Sequence, residues 1–148
     1  MGHGRLRAYQ VMLRLAKVRE VHASLALAEA SSEELVRRTR CTEVAAARDT
    51  VAAASRADAS DRSSIDIARY ELLSDMDATL AQRLQVASHE LSLAEKLSQE
   101  CASASVIARR YREKMDGRVK EAVAAIEDKR SADRQEEDVE LWLKGKTP

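Results

Sequence analysis

Residues 55–64, Ser55-Arg56-Ala57-Asp58-Ala59-Ser60-Asp61-Arg62-Ser63-Ser64, decide how this chain is read. They sit inside a stretch from Arg5 to Asp116 that holds no glycine and no proline, the two strongest helix breakers. Ser and Asp side chains compete for backbone hydrogen bonds and favour turns and caps over helix interiors. The segment is therefore the best candidate for a reversal in an otherwise unbroken helical chain. Just beyond it, Ser63-Ser64-Ile65-Asp66 offers an N-cap with an acidic residue three positions on. The reading that follows is all-α, a long antiparallel two-helix coiled-coil hairpin forming a single elongated domain over residues 1–148. Helix one is expected over about 5–57, the turn over about 58–63 and helix two over about 64–143.

Composition agrees. Apolar residues make up 45% of the 148, mostly alanine with scattered Leu and Val, as in helices packed at close range. There is no Phe, the aromatics are Tyr9, Tyr70, Tyr111 and Trp142, and no stretch alternates with period two. Such a chain builds only a thin core. Lys and Arg number 25 against 25 Asp and Glu, so the chain as a whole has no footprint for nucleic acid or an anionic membrane. No run of about 18 apolar residues exists to cross a bilayer, and no apolar segment follows Met1 as a leader. A cytoplasmic protein without direct membrane insertion is expected.

Helix two carries the clearest pattern. Steps of three or four from Leu73 reach Met76, Leu80, Leu84, Ala87, Leu91, Ala94, Ser98, Cys101, Ser105, Ala108, Arg112, Met115, Val119, Ala122 and Ile126. All but Ser98, Ser105 and Arg112 are apolar, which makes a heptad seam with small residues in its middle. The steps from Leu73 to Leu84 run three, four, four, a stutter that locally relaxes the supercoil. Helix one shows Val18, Val21, Leu25, Ala28, Ser32 and Leu35, fading to Thr39 and Thr42, with an offset stripe upstream at Leu6, Tyr9, Leu13 and Ala16. Ala45-Ala46-Ala47 and Ala52-Ala53-Ala54 favour helix and permit close backbone approach.

A turn near residue 60 places residues i and j opposite each other when they add to about 121. Helix one would then span roughly 75 Å and helix two roughly 120 Å at 1.5 Å per residue. Helix two would overhang the N-terminus from near Val119. Cys41 would face the neighbourhood of Leu80 and Cys101 would face Glu20, an axial offset on the order of 30 Å that forbids a disulfide. Two dispersed cysteines also match no zinc spacing.

Charge is uneven in place. Arg5, Arg7, Arg14, Lys17 and Arg19 crowd the first twenty residues, and Arg109, Arg110, Arg112, Lys114, Arg118 and Lys120 crowd the stretch expected opposite. Arg109–Glu113 and Asp116–Lys120 are ordinary i,i+4 pairs on a solvated face, but the shared end also suits docking of an acidic partner. Beyond it Glu127, Asp128, Asp133, Glu136, Glu137, Asp138 and Glu140 make the overhang mostly acidic, relieved by Lys129, Arg130 and Arg134. Val139, Trp142 and Leu143 form its apolar cluster, a candidate partner contact because tryptophan is enriched at binding hot spots. His22 flanks the seam, His89 and Glu90 do not share a face, Met76 and Met115 fill core, and Gly117 is tolerated in the helix. No phosphate loop, metalloprotease motif or nucleophile elbow is present, and two helices offer no deep pocket. No enzyme, cofactor or metal site is expected.

The run Leu13-Arg14-Leu15-Ala16-Lys17-Val18-Arg19-Glu20, with Ala23, Leu27, Ala28 and Ala30, resembles the leading helix of the FliJ/YscO-type stalk proteins of flagellar and type III secretion export ATPases. Arg130…Arg134-Gln135-Glu136-Glu137…Val139-Glu140-Leu141-Trp142 is similar to their closing segment, and the alanine content is closer to the type III secretion branch. The resemblance implies a non-enzymatic central stalk, peripheral to the secretion apparatus at the inner membrane. It would dock its basic open end in the ATPase hexamer through Arg5, Arg7, Arg14, Lys17, Arg109, Arg110, Arg112 and Arg118. It further implies contact with an export gate protein, placed at Met76, Leu80 and Leu84, and with secretion chaperones. Two other readings stand beside it: a self-associating structural coiled coil, and a helical-hairpin secretion chaperone, which the polar turn disfavours. A nucleic-acid role would show as strongly salt-dependent binding.

Overall fold

The computed structural model describes residues 2–60 and 66–145. Two helices, α1 (Gly2–Ser60) and α2 (Ile67–Gly145), pack against each other as an all-α hairpin, with no strand among the described residues. Each helix runs further at one or both ends than the sequence predicts. The predicted turn overlaps residues 61–65, which lie outside the described residues, as do Ser63 and Ser64 of the predicted capping box. What the structure shows is Asp66 acting as the cap itself. Its Oδ1 accepts the Arg69 backbone N–H at 3.2 Å, and its carbonyl accepts that of Tyr70 at 3.0 Å. Arg69 is the third residue of α2, the position an N-cap side chain satisfies. Gly117 lies inside α2 with an ordinary backbone and open space where a Cβ would stand.

Contacts group into two units, Met1–Ser24 with Ala104–Pro148, and Leu25–Ser103. In the second, α1 covers Leu27, Ala30, Glu34, Arg37, Cys41, Val44, Arg48 and Val51, steps that alternate three and four. From α2 come Leu73, Asp77, Leu80, Leu84, Ala87, Leu91, Ala94 and Ser98. In the first unit α1 contributes Leu6, Tyr9, Leu13, Ala16, Glu20 and Ala23, and α2 contributes Ala108, Arg112, Met115, Val119, Ala122 and Ile126. Written as heptads with Leu6 at a and Tyr9 at d, and Leu73 at d in α2, every buried apolar residue among those described occupies d: Ala16, Ala30, Val51, Leu73, Ala87, Ala94 and Met115. The a positions carry the polar seam residues Glu20, Glu34, Arg48, Asp77, Ser98 and Arg112, and Arg37 stands at d.

Two expectations about the seam are corrected. Met76 is 43% exposed, and Asp77 takes the seam position in its place, held by Arg48 at 3.1 Å. The steps from Leu73 to Leu84 are thus four, three, four, and no stutter exists. An apolar neighbour disguised a polar seam residue. On α1 the seam is not the Val18, Val21, Leu25, Ala28, Leu35 stripe, which lies outward with Val21 59% and Leu35 65% exposed. It is the upstream stripe, continued through Glu20 and Glu34. The outward stripe fails at its ends, reaching Arg7 and Arg14 upstream and Thr39 and Thr42 downstream. The observed one runs without a break and sets acid against base.

The pairing register also differs. In the Leu25–Ser103 unit, Cys41 Sγ lies 3.6 Å from Ser88 Oγ, Arg37 pairs with Glu90 and Arg69 with Asp58. In the other unit Arg118 lies over Tyr9, and a Cβ on Gly2 would meet Ile126 at 3.5 Å. Facing numbers in each unit add to about 128, one heptad more than predicted, as α1 runs on to Ser60 and α2 begins only at Ile67. Cys41 therefore faces Ser88 and not Leu80, and Glu20 faces the Ala108–Arg112 turn and not Cys101. Both thiols are free. The register also moves the overhang. Val119 is half-buried, and the fully exposed run begins at Glu127 and continues to Gly145.

A candidate partner-binding groove beside the start of α1

The register brings the basic start of α1 alongside the basic stretch of α2, and within the Met1–Ser24 and Ala104–Pro148 unit a groove of about 820 Å³ opens between them. Arg5, Lys114, Arg118 and Lys129 ring it, against the single acid Glu121, and Tyr9, Ala122, Ala125 and Ile126 form its apolar floor. In heptad terms Arg5, Arg118 and Ala125 are g positions and Lys114 and Glu121 are c positions, so one side of the hairpin gathers them. The Arg118 guanidinium stands 5.8 Å from the Tyr9 ring centroid, a cation–π contact of about 0.5–1 kcal/mol at an exposed site. That contact holds one cation over the floor.

The eight basic residues predicted at this end do not converge. Arg5 and Arg118 line the groove. Arg7, Arg14 and Arg110 fall on the outward b and f positions and are exposed. Lys17 and Arg109 lie at e, on the flank away from the groove, where Arg109 pairs with Glu113 at 3.1 Å. Arg112 is engaged in the seam. Its Nε donates to Glu20 Oε2 at 2.7 Å and its Nη2 to Oε1 at 3.4 Å, with both side chains less than a third exposed. Two lining cations, Lys114 and Lys129, were missed as site residues. Their c and d positions on the α2 seam were the available signal, and the predicted register, one heptad short, left Lys129 in the overhang beyond the start of α1.

The seam pair also shifts protonation. Hydrogen bonding from Arg112 holds the Glu20 carboxyl below the ordinary 4.5, burial opposing, with the charges of Arg112 and Arg109 adding. Glu34 is lowered likewise, first by a hydrogen bond from Ser98 and then by Arg38. Between the lowered native value and the ordinary one the unfolded chain binds more protons, so stability rises with pH across that window. The contribution is complete above the ordinary value and disappears as pH falls through the native ones. The thermal midpoint should be level above about pH 5 and drop below it, and a Glu20→Gln, Glu34→Gln variant should show a shallower drop by circular dichroism. An unchanged slope would remove these two carboxyls as its cause.

Elsewhere, Met76 and Leu80 line a smaller groove of about 630 Å³ with Ala47, Thr50, Val51 and Arg83, whereas Leu84 sits in the seam and does not reach it. Val139, Trp142 and Leu143 are exposed on the acidic run of α2. Among the described residues no three His, Cys, Asp or Glu side chains gather as a metal site, and no helix is long and apolar enough to cross a membrane. No family model, curated protein or solved structure matches the chain.

Proposed function

We propose that this chain is a non-enzymatic stalk of a type III secretion export ATPase, meeting the ATPase through the basic groove beside the start of α1. The observation that carries the reading is the gathering of Arg5, Lys114, Arg118 and Lys129 over the Tyr9, Ala122 and Ile126 floor. A cationic rim steers an acidic partner into place, and an apolar floor gives it surface to bury. The docking set is accordingly narrowed: Arg5 and Arg118 remain from the residues that the family resemblance implies, Lys114 and Lys129 join them, and Arg112 serves the fold. Met76 and Leu80 supply an apolar surface for the export gate protein, and Val139, Trp142 and Leu143 a second contact.

Binding to the purified export ATPase tests this. An Arg5→Glu, Lys114→Glu, Arg118→Glu variant should lose affinity by at least about tenfold, while Arg7→Glu, Arg14→Glu, Arg110→Glu on the outward face should lose much less. A partner that recognises only the folded hairpin also stabilises it, by about 2.7 kcal/mol at a hundred times its dissociation constant. The melting midpoint of the unaltered chain should therefore rise with the ATPase present, and that of the groove variant should not. Equal capture of the two variants would sink the assignment.

A further inference from the structure

We infer that the acidic end of α2, residues 133–145, of one copy of this chain seats in the basic groove of a second copy. The chemistry of the two surfaces matches. The groove offers Arg5, Lys114 and Arg118 above an apolar floor. The acidic end offers Glu136, Glu137, Asp138 and Glu140 around Val139 and Leu143, which are 57% and 54% exposed. Every residue from Glu127 to Gly145 is exposed, and Val139, Trp142 and Leu143 follow helical i, i+3, i+4 spacing, so acid and apolar groups share the surface. An anionic helix with an apolar stripe fits a cationic groove with an apolar floor.

The chain's own segment cannot fill its own groove. Lys129 lines the groove, and Val139 and Leu143 follow it on the same unbroken helix, roughly 15–20 Å further along the axis. Folding back would require breaking α2, and no glycine or proline lies between Arg118 and Lys144 to allow it. A second copy carries the same segment without that tether. Each copy supplies both a groove and a segment, so the contact is made twice and closes on itself as a two-fold dimer.

Sedimentation velocity of the full chain, with the emission of its single tryptophan, Trp142, reads this directly. From about 1 to about 100 µM, a range covering affinities typical of modest interfaces, the unaltered chain should shift from monomer toward dimer while Trp142 emission moves to shorter wavelength. Glu136→Lys, Glu137→Lys, Glu140→Lys should weaken association at least about tenfold, and Arg5→Glu, Lys114→Glu, Arg118→Glu should do the same. Mixing the two reversed variants should restore a dimer, because each then meets an opposite charge at both contacts. That recovery also shows that neither variant has simply failed to fold. A monomer across the whole range would overturn the inference. So would reversed variants that associate like the unaltered chain, which would move the contact to the outward apolar stripe of α1, or a mixture that stays monomeric. The experiment contains no ATPase, so its failure leaves the stalk reading untouched; where the dimer forms, it fills the groove that reading gives to the ATPase, and the two partners exclude each other on one copy.

Discussion

Oxidation of a Ser88→Cys, Cys101→Ser variant should close a disulfide between Cys41 and the thiol at position 88, and raise stability by about 3–4 kcal/mol. The Cys41 Sγ already lies 3.6 Å from Ser88 Oγ on the facing helix, so a small side-chain rotation brings two sulfurs into bonding range. The closed loop spans most of both helices in the Leu25–Ser103 unit, and loops of that size restrict the unfolded chain enough for a gain of this order. Removing Cys101, roughly 20 Å along α2 from position 88, leaves one possible pairing. Leu80→Cys in the same Cys101→Ser background is the comparison, because a register one heptad shorter would set that position against Cys41. It should stay reduced, lying about 12 Å along α2 from Ser88. Free-thiol titration and melting of the oxidised chains decide between the two registers.

Met115→Ala should cost about 2–4 kcal/mol, whereas Val18→Ala should change stability by less than about 0.5 kcal/mol. Met115 is 4% exposed at a d position, where truncation leaves a cavity between helices that have few other large side chains to close it. Val18 is 53% exposed on the outward face, and alanine is the better helix former there. Hydrophobic patterning taken alone would give Val18 a comparable share of the core. Denaturant midpoints of the two variants measure the difference, and comparable losses would place Val18 in the seam after all.

Much of the hairpin was legible because helix breakers are absent over more than a hundred residues and the seam of α2 repeats without interruption. Fifteen of the sixteen seam positions read along α2 are covered or half-covered, Met76 being the exception. The reading of α1 failed for a physical reason. Its seam alternates alanine and leucine with Glu20, Glu34, Arg37 and Arg48, and a charged residue looks like surface until its partner is known. Arg112 for Glu20, Ser98 for Glu34 and Asp77 for Arg48 come from nearly the far half of the chain. The groove was half legible. Basic residues crowd both stretches in the sequence, but which of them share a side depends on the seam, so Arg5 and Arg118 were found while Lys114 and Lys129 were not.

By itself the sequence determined two long helices, the α2 face that is buried and the end where positive charge collects. These are local properties, set by propensity and by a period of three and four residues. Tertiary structure alone decided which face of α1 turns inward and which layer meets which. A slide of one helix by seven residues returns the same face to the seam, so periodicity is silent about register. The matching of Glu20 with Arg112 and Arg48 with Asp77 selects one alignment among those the pattern permits.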